Sequence, residues 1–256
     1  MRAAGNRTSD HAPDHTRARA PRPAQRAGPL RYIGAMPRRP ATTARILLTG
    51  FDPFNGARVN PSWLAVQALH NRQICGRRIV AAQLPTVFGA SLRTLDTLLD
   101  QLRPELVICV GQAGGRGAIS LERVAINVDD APIADNAGAR PVDAPVAPGA
   151  PAAYFSSLPI KALLAALQRE GLRAEVSQTA GTFVCNHVFF GLMHRIATHP
   201  GLRHTRGGFV HVPWLPEQGT PHMALEQVVS GLRVIVRGAL TTPASAPVAP
   251  GGGATH

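Results

Sequence analysis

The sequence predicts an α/β fold with a mostly parallel sheet that is covered by helices on both faces. Short apolar runs alternate along the chain with segments whose apolar residues recur at helical spacing. Two of the apolar runs, RILLT and LVICV, are closed by glycine at Gly50 and Gly111, as buried parallel strands often are. Residues 45–240 contain no linker long enough to divide them, so we expect one domain there.

The strands and helices follow in order. Strands are predicted where apolar runs are bounded by turn residues, at 45–49, 79–84, 106–110, 121–128, 174–179 and 209–212. Helices are predicted at 61–70, 92–102, 160–168, 184–196 and 223–240. The first helix has Asn60 as N-cap and Pro61 at its first position. Residues 129–151 are expected to be irregular.

Composition excludes several classes of protein. The 256-residue chain is 45% hydrophobic, but no run approaches the 18 apolar residues of a membrane span. Three cysteines without CxxC spacing argue against a disulfide framework or a zinc ribbon, and they favour a reduced, cytoplasmic protein.

Most of the net charge of +12 lies in residues 1–44, where nine arginines stand against Asp10 and Asp14. This leader is rich in Arg, Pro and Ala and is predicted to be disordered, as is the tail 241–256. It lacks the apolar segment of a secretory signal, and Met36 is an alternative start. Because the excess charge is not on the domain, nucleic acid is not an expected partner.

Cys185 is the first candidate for chemistry because it follows a glycine turn at the start of a predicted helix. Unpaired N–H groups and the helix dipole are expected there to lower the thiol pKa and to receive an oxyanion. A small buried hydrophobic residue is the alternative, and it is the interpretation that suits Cys75 and Cys109.

His211 is the best candidate for a base, because it ends a strand on the side where parallel sheets place their sites. The alternative is a core histidine bonded to a carbonyl. His187 would point away from Cys185 on the same helix. Glu122, an acid in an apolar strand, could orient the imidazole. Asp135 is a further candidate for that role, although a turn residue is the simpler interpretation.

Two glycine-rich turns complete the pattern. Residues 50–56 place Phe51 and Phe54 after the first strand, which suggests a slot for a flat apolar ligand or a loop anchored to the core. Residues 111–117 match neither G-x-G-x-x-G nor the Walker A spacing, so a nucleotide site is not favoured.

Five segments in residues 45–240 together resemble the pyroglutamyl peptidase I (pyrrolidone-carboxylate peptidase) family. They are LLTGFDPFNGARVNPSW, CVGQAGGR, LERVAINV with the following Asp135-Asn136, TAGTFVCNH and GFVHVPWLPEQ. The resemblance implies a three-layer, phosphorylase/hydrolase-like α/β/α fold. It also implies a cysteine peptidase that removes N-terminal pyroglutamate through a thioester, without a metal or cofactor, often as a homotetramer.

The resemblance implies roles for particular residues. Cys185 would be the nucleophile, His211 the general acid and base, and Glu122 the residue that orients the histidine. The lactam ring would be held by the side chains of Phe51, Phe54, Thr86 and Phe183 and by main-chain groups around Gln112 and Val184.

Two positions depart from the family pattern. Asn55 stands where most relatives have glycine, and Pro132 stands where relatives commonly carry an arginine thought to assist the oxyanion. Proline offers no donor in its place; Arg116 and Arg140 are candidates to substitute. A pyroglutamate-binding protein with impaired catalysis is therefore the alternative function, and nucleic-acid association through the leader ranks last.

Overall fold

The computed structural model describes residues 45–242. The predicted leader, 1–44, and residues 243–256 of the predicted tail lie outside the described residues. The strands are β1 (Arg45–Phe51), β2 (Gln73–Ile74), β3 (Arg77–Leu84), β4 (Leu106–Gln112), β5 (Ile119–Glu122), β6 (Val124–Ile126), β7 (Ala153–Phe155), β8 (Ala174–Ser177) and β9 (Arg206–Val212). The helices are α1 (Pro61–Gln67), α2 (Ala90–Leu102), α3 (Ile160–Arg169), α4 (Val184–Thr198) and α5 (Leu225–Thr241), with a short 3-10 turn at Pro200–Leu202.

Seven strands form one sheet in the order β2-β3-β1-β4-β9-β5-β8. The pairs β1–β3, β1–β4, β4–β9 and β5–β8 are parallel, whereas β2–β3 and β5–β9 are antiparallel. The predicted mostly parallel α/β sheet is therefore confirmed. β6 and β7 form a separate antiparallel pair.

Helices cover both faces of the sheet, because successive residues of the buried strands point to opposite sides. Ile46 and Leu48 of β1 belong to a core that includes residues of α1, α3 and α5, whereas Leu47 belongs to the core that includes residues of α2 and α4. The result is three layers. No helix within residues 45–242 is long and apolar enough to cross a membrane.

The first helix begins as predicted and ends early. The Asn60 side chain accepts a hydrogen bond from the Ser62 N–H at 3.1 Å, and Pro61 takes the first helical position. The helix ends at Gln67 rather than at residue 70, because a tight turn follows in which Leu69 N–H donates to Val66 O.

The predicted strand 121–128 is wrong as a single element. It divides at Arg123, whose N–H donates to Ser177 O of β8 and whose carbonyl accepts from Ser156 N–H. The chain thereby leaves the large sheet after Glu122 and pairs with β7 instead. The irregular segment that follows does span 129–151, with one isolated bridge between Asp129 and Ala144.

The short strands β2 and β7 were not predicted. The final helix starts at Leu225, two residues later than expected, and includes Thr241, the first residue of the predicted tail. The parallel strands β1, β4 and β9 have their carboxyl ends at the same edge of the sheet, and the candidate side chains lie at that edge.

Candidate active site

His211 and Glu122 meet on neighbouring strands. β5 runs antiparallel to β9 with Ser120 opposite His211, so Glu122 lies on the same face of the sheet. The His211 Nδ1 atom lies 2.7 Å from Glu122 Oε1, and both side chains are buried. A proton on Nδ1 completes this bond and leaves Nε2 free to accept or deliver a proton. The predicted partnership of these two residues is present.

Cys185 reaches the same strands from α4. It is the second residue of that helix, and its sulfur lies against Gly111, where a β-carbon would be only 2.8 Å from Sγ. Gly111 is paired in register with His211 across β4 and β9. The sulfur of Cys185 is therefore directed at the strand pair that carries the histidine.

The first turn of α4 offers hydrogen-bond donors. Its N-cap, Phe183, makes no side-chain capping bond, and the first N–H groups of an α-helix have no acceptor within the helix. The main-chain N–H groups beginning at Val184 can therefore bind an oxygen that becomes negative beside Cys185.

The expectation that the helix start lowers the thiol pKa is wrong. Burial raises the pKa of Cys185 to about 12, the Glu122 carboxylate raises it further, and the Arg116 guanidinium opposes the rise. The residue keeps some exposed surface, but its sulfur lies inside against the sheet. Loss of solvation keeps Cys185 a neutral thiol at rest, and such a thiol needs a base before it can act as a nucleophile.

The expectation of a small buried hydrophobic residue is correct for Cys109 and wrong for Cys75. Cys109 is fully buried in β4, and burial raises its pKa to about 12. Cys75 is exposed, at a turn residue with φ of 49°.

Arg116 binds the Glu122 carboxylate together with His211. Its Nη1 atom lies 2.8 Å from Glu122 Oε1, the same oxygen that His211 contacts. Nη1 also donates to Ser177 Oγ at 3.3 Å, and Nη2 donates to Thr179 O at 3.2 Å. The sequence suggested Arg116 only as a substitute for an oxyanion donor, and its contact with Glu122 was missed because no local pattern links residues 116, 122 and 177.

A second buried histidine–acid pair stands nearby. His187 Nδ1 lies 2.7 Å from Asp129 Oδ2, while His187 Nε2 accepts a hydrogen bond from Gly89 N–H at 2.9 Å. Because both ring nitrogens are engaged, His187 secures the loop before α2 to α4 and has no free atom for proton transfer.

The possible helper Asp135 has a different role. Its carboxylate accepts hydrogen bonds from the N–H groups of Phe88, Ala137 and Ala139. It holds the irregular segment in place and does not contact His211, so the expectation of a turn residue is correct.

Aromatic rings gather in front of α4. The Phe183 ring centroid lies 6.0 Å from that of Phe54 and 5.5 Å from that of Phe88, which meets it edge to face. The sequence did not indicate Phe88 as part of the ligand slot, although it follows Thr86 by two residues. All three rings are partly exposed, so they can form a wall for a ligand.

The remaining predicted binding residues are at the same edge. Phe51 is almost fully buried, with its ring 6.3 Å from Phe209, so it packs in the core behind the loop. Thr86 donates from its N–H and its hydroxyl to Asp52, which fixes the end of β3 against residues 51–54.

A cavity of about 770 Å³ opens beside these residues. Phe54, Gln112 and Gly114 line one part of it, and Trp214 and Gln218 line another. The Gln112 side chain accepts a hydrogen bond from Gln218 Nε2 at 3.0 Å. Within residues 45–242, no three His, Cys, Asp or Glu side chains converge as metal ligands would.

Comparison with known proteins identifies the family to which the chain belongs. The sequence model of the pyroglutamyl peptidase family matches residues 44–242. Pyrrolidone-carboxylate peptidase 1 of Ralstonia nicotianae is 61% identical over 196 residues, which cover 75% of this chain and 90% of the relative. The Erwinia tasmaniensis pyrrolidone-carboxylate peptidase is 55% identical, over 83% of this chain and 99% of its own length.

Solved structures give the same result. Pyroglutamyl peptidase I of Bacillus amyloliquefaciens superposes with a TM-score of 0.76 at 46% identity, covering 78% of this chain and 96% of that one. A mutant pyrrolidone carboxyl peptidase from Pyrococcus furiosus superposes with a TM-score of 0.74 at 38% identity, covering 77% and 98%. With this family match, and with relatives of this identity aligned over nearly their whole length, the chain belongs to the pyroglutamyl peptidase family.

Proposed function

We propose that this protein is a pyroglutamyl peptidase that removes the N-terminal pyroglutamyl residue of peptides, with Cys185 as nucleophile. The observation that carries the assignment of roles is the 2.7 Å contact between His211 and Glu122, next to Gly111, the register partner of His211 against which the Cys185 sulfur lies. Nucleophile, base and orienting acid are the three parts that thiol catalysis of acyl transfer requires.

Acylation begins with a neutral thiol, because burial holds the pKa of Cys185 far above neutrality. His211 Nε2 takes the thiol proton as sulfur attacks the pyroglutamyl carbonyl carbon. The carbonyl oxygen becomes an oxyanion and is bound by main-chain N–H groups at the start of α4. The carbon–nitrogen bond then breaks, and His211 delivers its proton to the leaving amine, which departs as the shortened peptide.

Deacylation reuses the same base. His211 Nε2 takes a proton from a water molecule while the oxygen of that water attacks the thioester carbon. The carbon–sulfur bond breaks, the proton returns to sulfur, and pyroglutamate leaves. Glu122 accepts the Nδ1 hydrogen bond throughout and stabilises the imidazolium each time it forms.

The substrate ring is a flat, uncharged lactam, and the site is suited to it. Phe54, Phe88 and Phe183 provide apolar surface, while the main chain around Gln112 and Val184 provides donors and acceptors for the lactam amide. A peptide with a free ammonium group would have to desolvate that charge among aromatic rings, which is costly. This is the physical basis for rejecting ordinary N-termini.

The peptide beyond the ring extends, in this proposal, into the cavity lined by Gln112 and Trp214. Its volume of about 770 Å³ is ample for several residues. Leu215 N–H donates to Gln218 Oε1, so the lining is held by its own hydrogen bonds before any peptide arrives.

We further propose a cytoplasmic homotetramer. A reduced compartment keeps the Cys185 thiol available. Val142 and Phe155, each 71% exposed, are the large hydrophobic side chains most open to solvent within residues 45–242, and they are available for subunit contact. Light scattering coupled to size-exclusion chromatography tests the tetramer.

The alternative of a binding protein with impaired catalysis has no support from the relatives, which bear the names of peptidases. A substrate-discrimination assay tests the proposed function. We expect the protein to release a fluorescent amine from a pyroglutamyl amide and to leave the prolyl amide intact, because the prolyl ring is also five-membered but lacks the lactam carbonyl and carries a charged nitrogen. Equal cleavage of the two amides, or cleavage of neither by folded and reduced protein, would contradict the proposal.

A further inference from the structure

One guanidinium joins two parts of the site that come from distant positions in the chain. Arg116 donates to the carboxylate of Glu122 and, with its other nitrogen, to the carbonyl of Thr179. Thr179 lies in the turn that leads from β8 to Cys185. The Ser177 hydroxyl closes the same turn: it accepts a hydrogen bond from Arg116 Nη1 and donates one to Thr179 O.

We infer that Arg116 is a positioning residue of the catalytic site, which holds Glu122 in register with His211 and ties both to the turn that carries Cys185. The inference rests on the proposed function, since it assigns Arg116 a part in the same reaction. It goes beyond the three catalytic residues because Arg116 acts through Glu122 and through the turn.

Charge makes this role necessary. Glu122 is fully buried and its Oε2 atom has no hydrogen-bond partner, so the carboxylate depends on what reaches Oε1. While His211 is neutral, its Nδ1–H is a dipole and not a cation, so the guanidinium supplies the positive charge beside Glu122. A buried carboxylate without such a partner is strongly disfavoured.

Geometry makes arginine the appropriate residue. The planar guanidinium presents its N–H groups in fixed directions, so a single side chain can bind a carboxylate and a carbonyl at once. The Arg116 side chain is 28% exposed, whereas the Glu122 side chain is fully buried, so the arginine connects the buried carboxylate to the surface. A lysine would keep the positive charge but would lose the paired N–H groups of the guanidinium, which point in fixed directions.

The charge of Arg116 also acts on the nucleophile. The charged or titratable groups that act on the Cys185 thiol are Glu122 on β5, Cys109 on β4 and Arg116 itself. His211 on β9 is the register partner of Gly111, against which the sulfur lies. Glu122 and Cys109 raise the pKa of Cys185 beyond the effect of burial, whereas Arg116 lowers it. Loss of Arg116 therefore disfavours the thiolate.

Two substitutions separate position from charge. For Arg116→Ala we expect kcat to fall by about 10²-fold with KM changed less than threefold, because a misplaced catalytic group costs chemistry more than binding. For Arg116→Lys we expect a loss of about 10-fold. Alkylation of Cys185 by iodoacetamide, followed by mass spectrometry from pH 7 to 10, should slow in Arg116→Ala and stay near the wild-type rate in Arg116→Lys.

Chemical rescue gives a readout that a general structural role would not move. The Arg116 side chain reaches the surface, so a small cation can enter the space that it leaves. Millimolar guanidinium or methylguanidinium should therefore raise the kcat of Arg116→Ala by at least about 10-fold. The matched control is Arg173→Ala: Arg173 donates to the carbonyl of His222 beside the same glycine-rich loop and contacts no catalytic residue. Its activity should stay within twofold of wild type and should not respond to guanidinium.

The outcomes are distinguishable. If Arg116→Ala matches Arg173→Ala in kcat and in alkylation rate, the positioning role is wrong. If Arg116→Ala does not fold, Arg116→Lys decides, because kcat within twofold of wild type in that variant contradicts the need for the paired N–H groups of the guanidinium. If the wild-type protein cleaves no pyroglutamyl amide, the proposed function fails, and the alkylation rates still test the coupling of Arg116 to Cys185.

Discussion

The sulfur of Cys185 occupies the space that a side chain at Gly111 would need. A β-carbon on Gly111 would lie 2.8 Å from Sγ and 2.9 Å from the Phe209 ring. Gly111 is also the register partner of His211. The absence of a side chain at this one position therefore lets the helix that carries Cys185 approach the strand pair that includes His211.

Gly111→Ala should displace the nucleophile. The added methyl group meets the sulfur and an aromatic ring at distances that real β-carbons do not tolerate, so one of them must move. We expect kcat to fall by at least about 10-fold and the free energy of unfolding to fall by about 1–3 kcal/mol. Steady-state kinetics and urea unfolding measure the two effects.

Gly117→Ala is the matched control in the same loop, because its nearest neighbour would be Pro221 at 3.3 Å, away from the catalytic residues. Equal kinetics for the two variants would show that the close approach at Gly111 is unimportant for catalysis.

Replacing Glu122 by glutamine should strongly reduce kcat. The amide can donate to Nδ1 and favour the tautomer that has its proton on Nε2, which blocks the base. We expect kcat to fall by about 10²- to 10⁴-fold. Glu105→Gln, which removes a partly exposed partner of Arg77, should leave kcat unchanged. Retention of more than half the activity by Glu122→Gln would remove Glu122 from the mechanism.

The aromatic wall should control binding more than chemistry. For Phe183→Ala we expect KM for a pyroglutamyl amide to rise by about 10- to 100-fold, with kcat changed less, because the ring contacts the substrate in both ground and transition states. Phe155→Ala removes a ring that is 71% exposed on β7 and does not belong to the aromatic wall, so it should leave KM for the pyroglutamyl amide unchanged. A Phe183→Ala enzyme with unchanged KM would exclude this ring from the site.

The two buried thiols should make the fold sensitive to alkali. Burial raises the pKa of Cys109 and of Cys185 from 9.0 to about 12. Below pH 9 both states of the protein hold these protons; between pH 9 and 12 the unfolded chain releases them while the folded chain keeps them. Stability must therefore fall as the pH rises through this window, by up to about 1.4 kcal/mol per pH unit for each thiol.

Urea unfolding at pH 8, 9 and 10 measures this loss. Cys109→Ala should lose less stability between pH 9 and 10 than the wild type does, and Cys185→Ala should behave in the same way. Cys75→Ser alters an exposed thiol and should keep the wild-type slope. Parallel slopes for all four proteins would mean that the buried thiols do not resist ionisation.

Much of the fold was predictable because most of its strands and helices have local sequence signals. The apolar runs of β1, β4 and β9 and the Asn60-Pro61 start of α1 lie where the patterns indicated. The break at Arg123 was not predictable, since it depends on Ser177 and Ser156, which are distant in sequence and supply the backbone partners there.

The three residues proposed for catalysis could be selected from the sequence, whereas their surroundings could be predicted only in part. Cys185 and His211 stand at a helix start and a strand end, which are local signals. Arg116 and Phe88 act through contacts with Glu122 and Phe183 that form only when the chain is folded. The predicted direction of the Cys185 pKa shift was wrong. The sequence indicates a helix start at this residue, but it does not show that the sulfur is buried against Gly111.

The most direct measurement of the central claim is release of a fluorescent amine from a pyroglutamyl amide in a Cys75→Ser background, before and after alkylation with iodoacetamide. Mass spectrometry follows the modification at Cys185. We expect turnover to disappear in proportion to Cys185 alkylation and to be absent in Cys185→Ser. Turnover that survives complete modification of Cys185, or that persists in Cys185→Ser, would contradict the assignment of Cys185 as nucleophile.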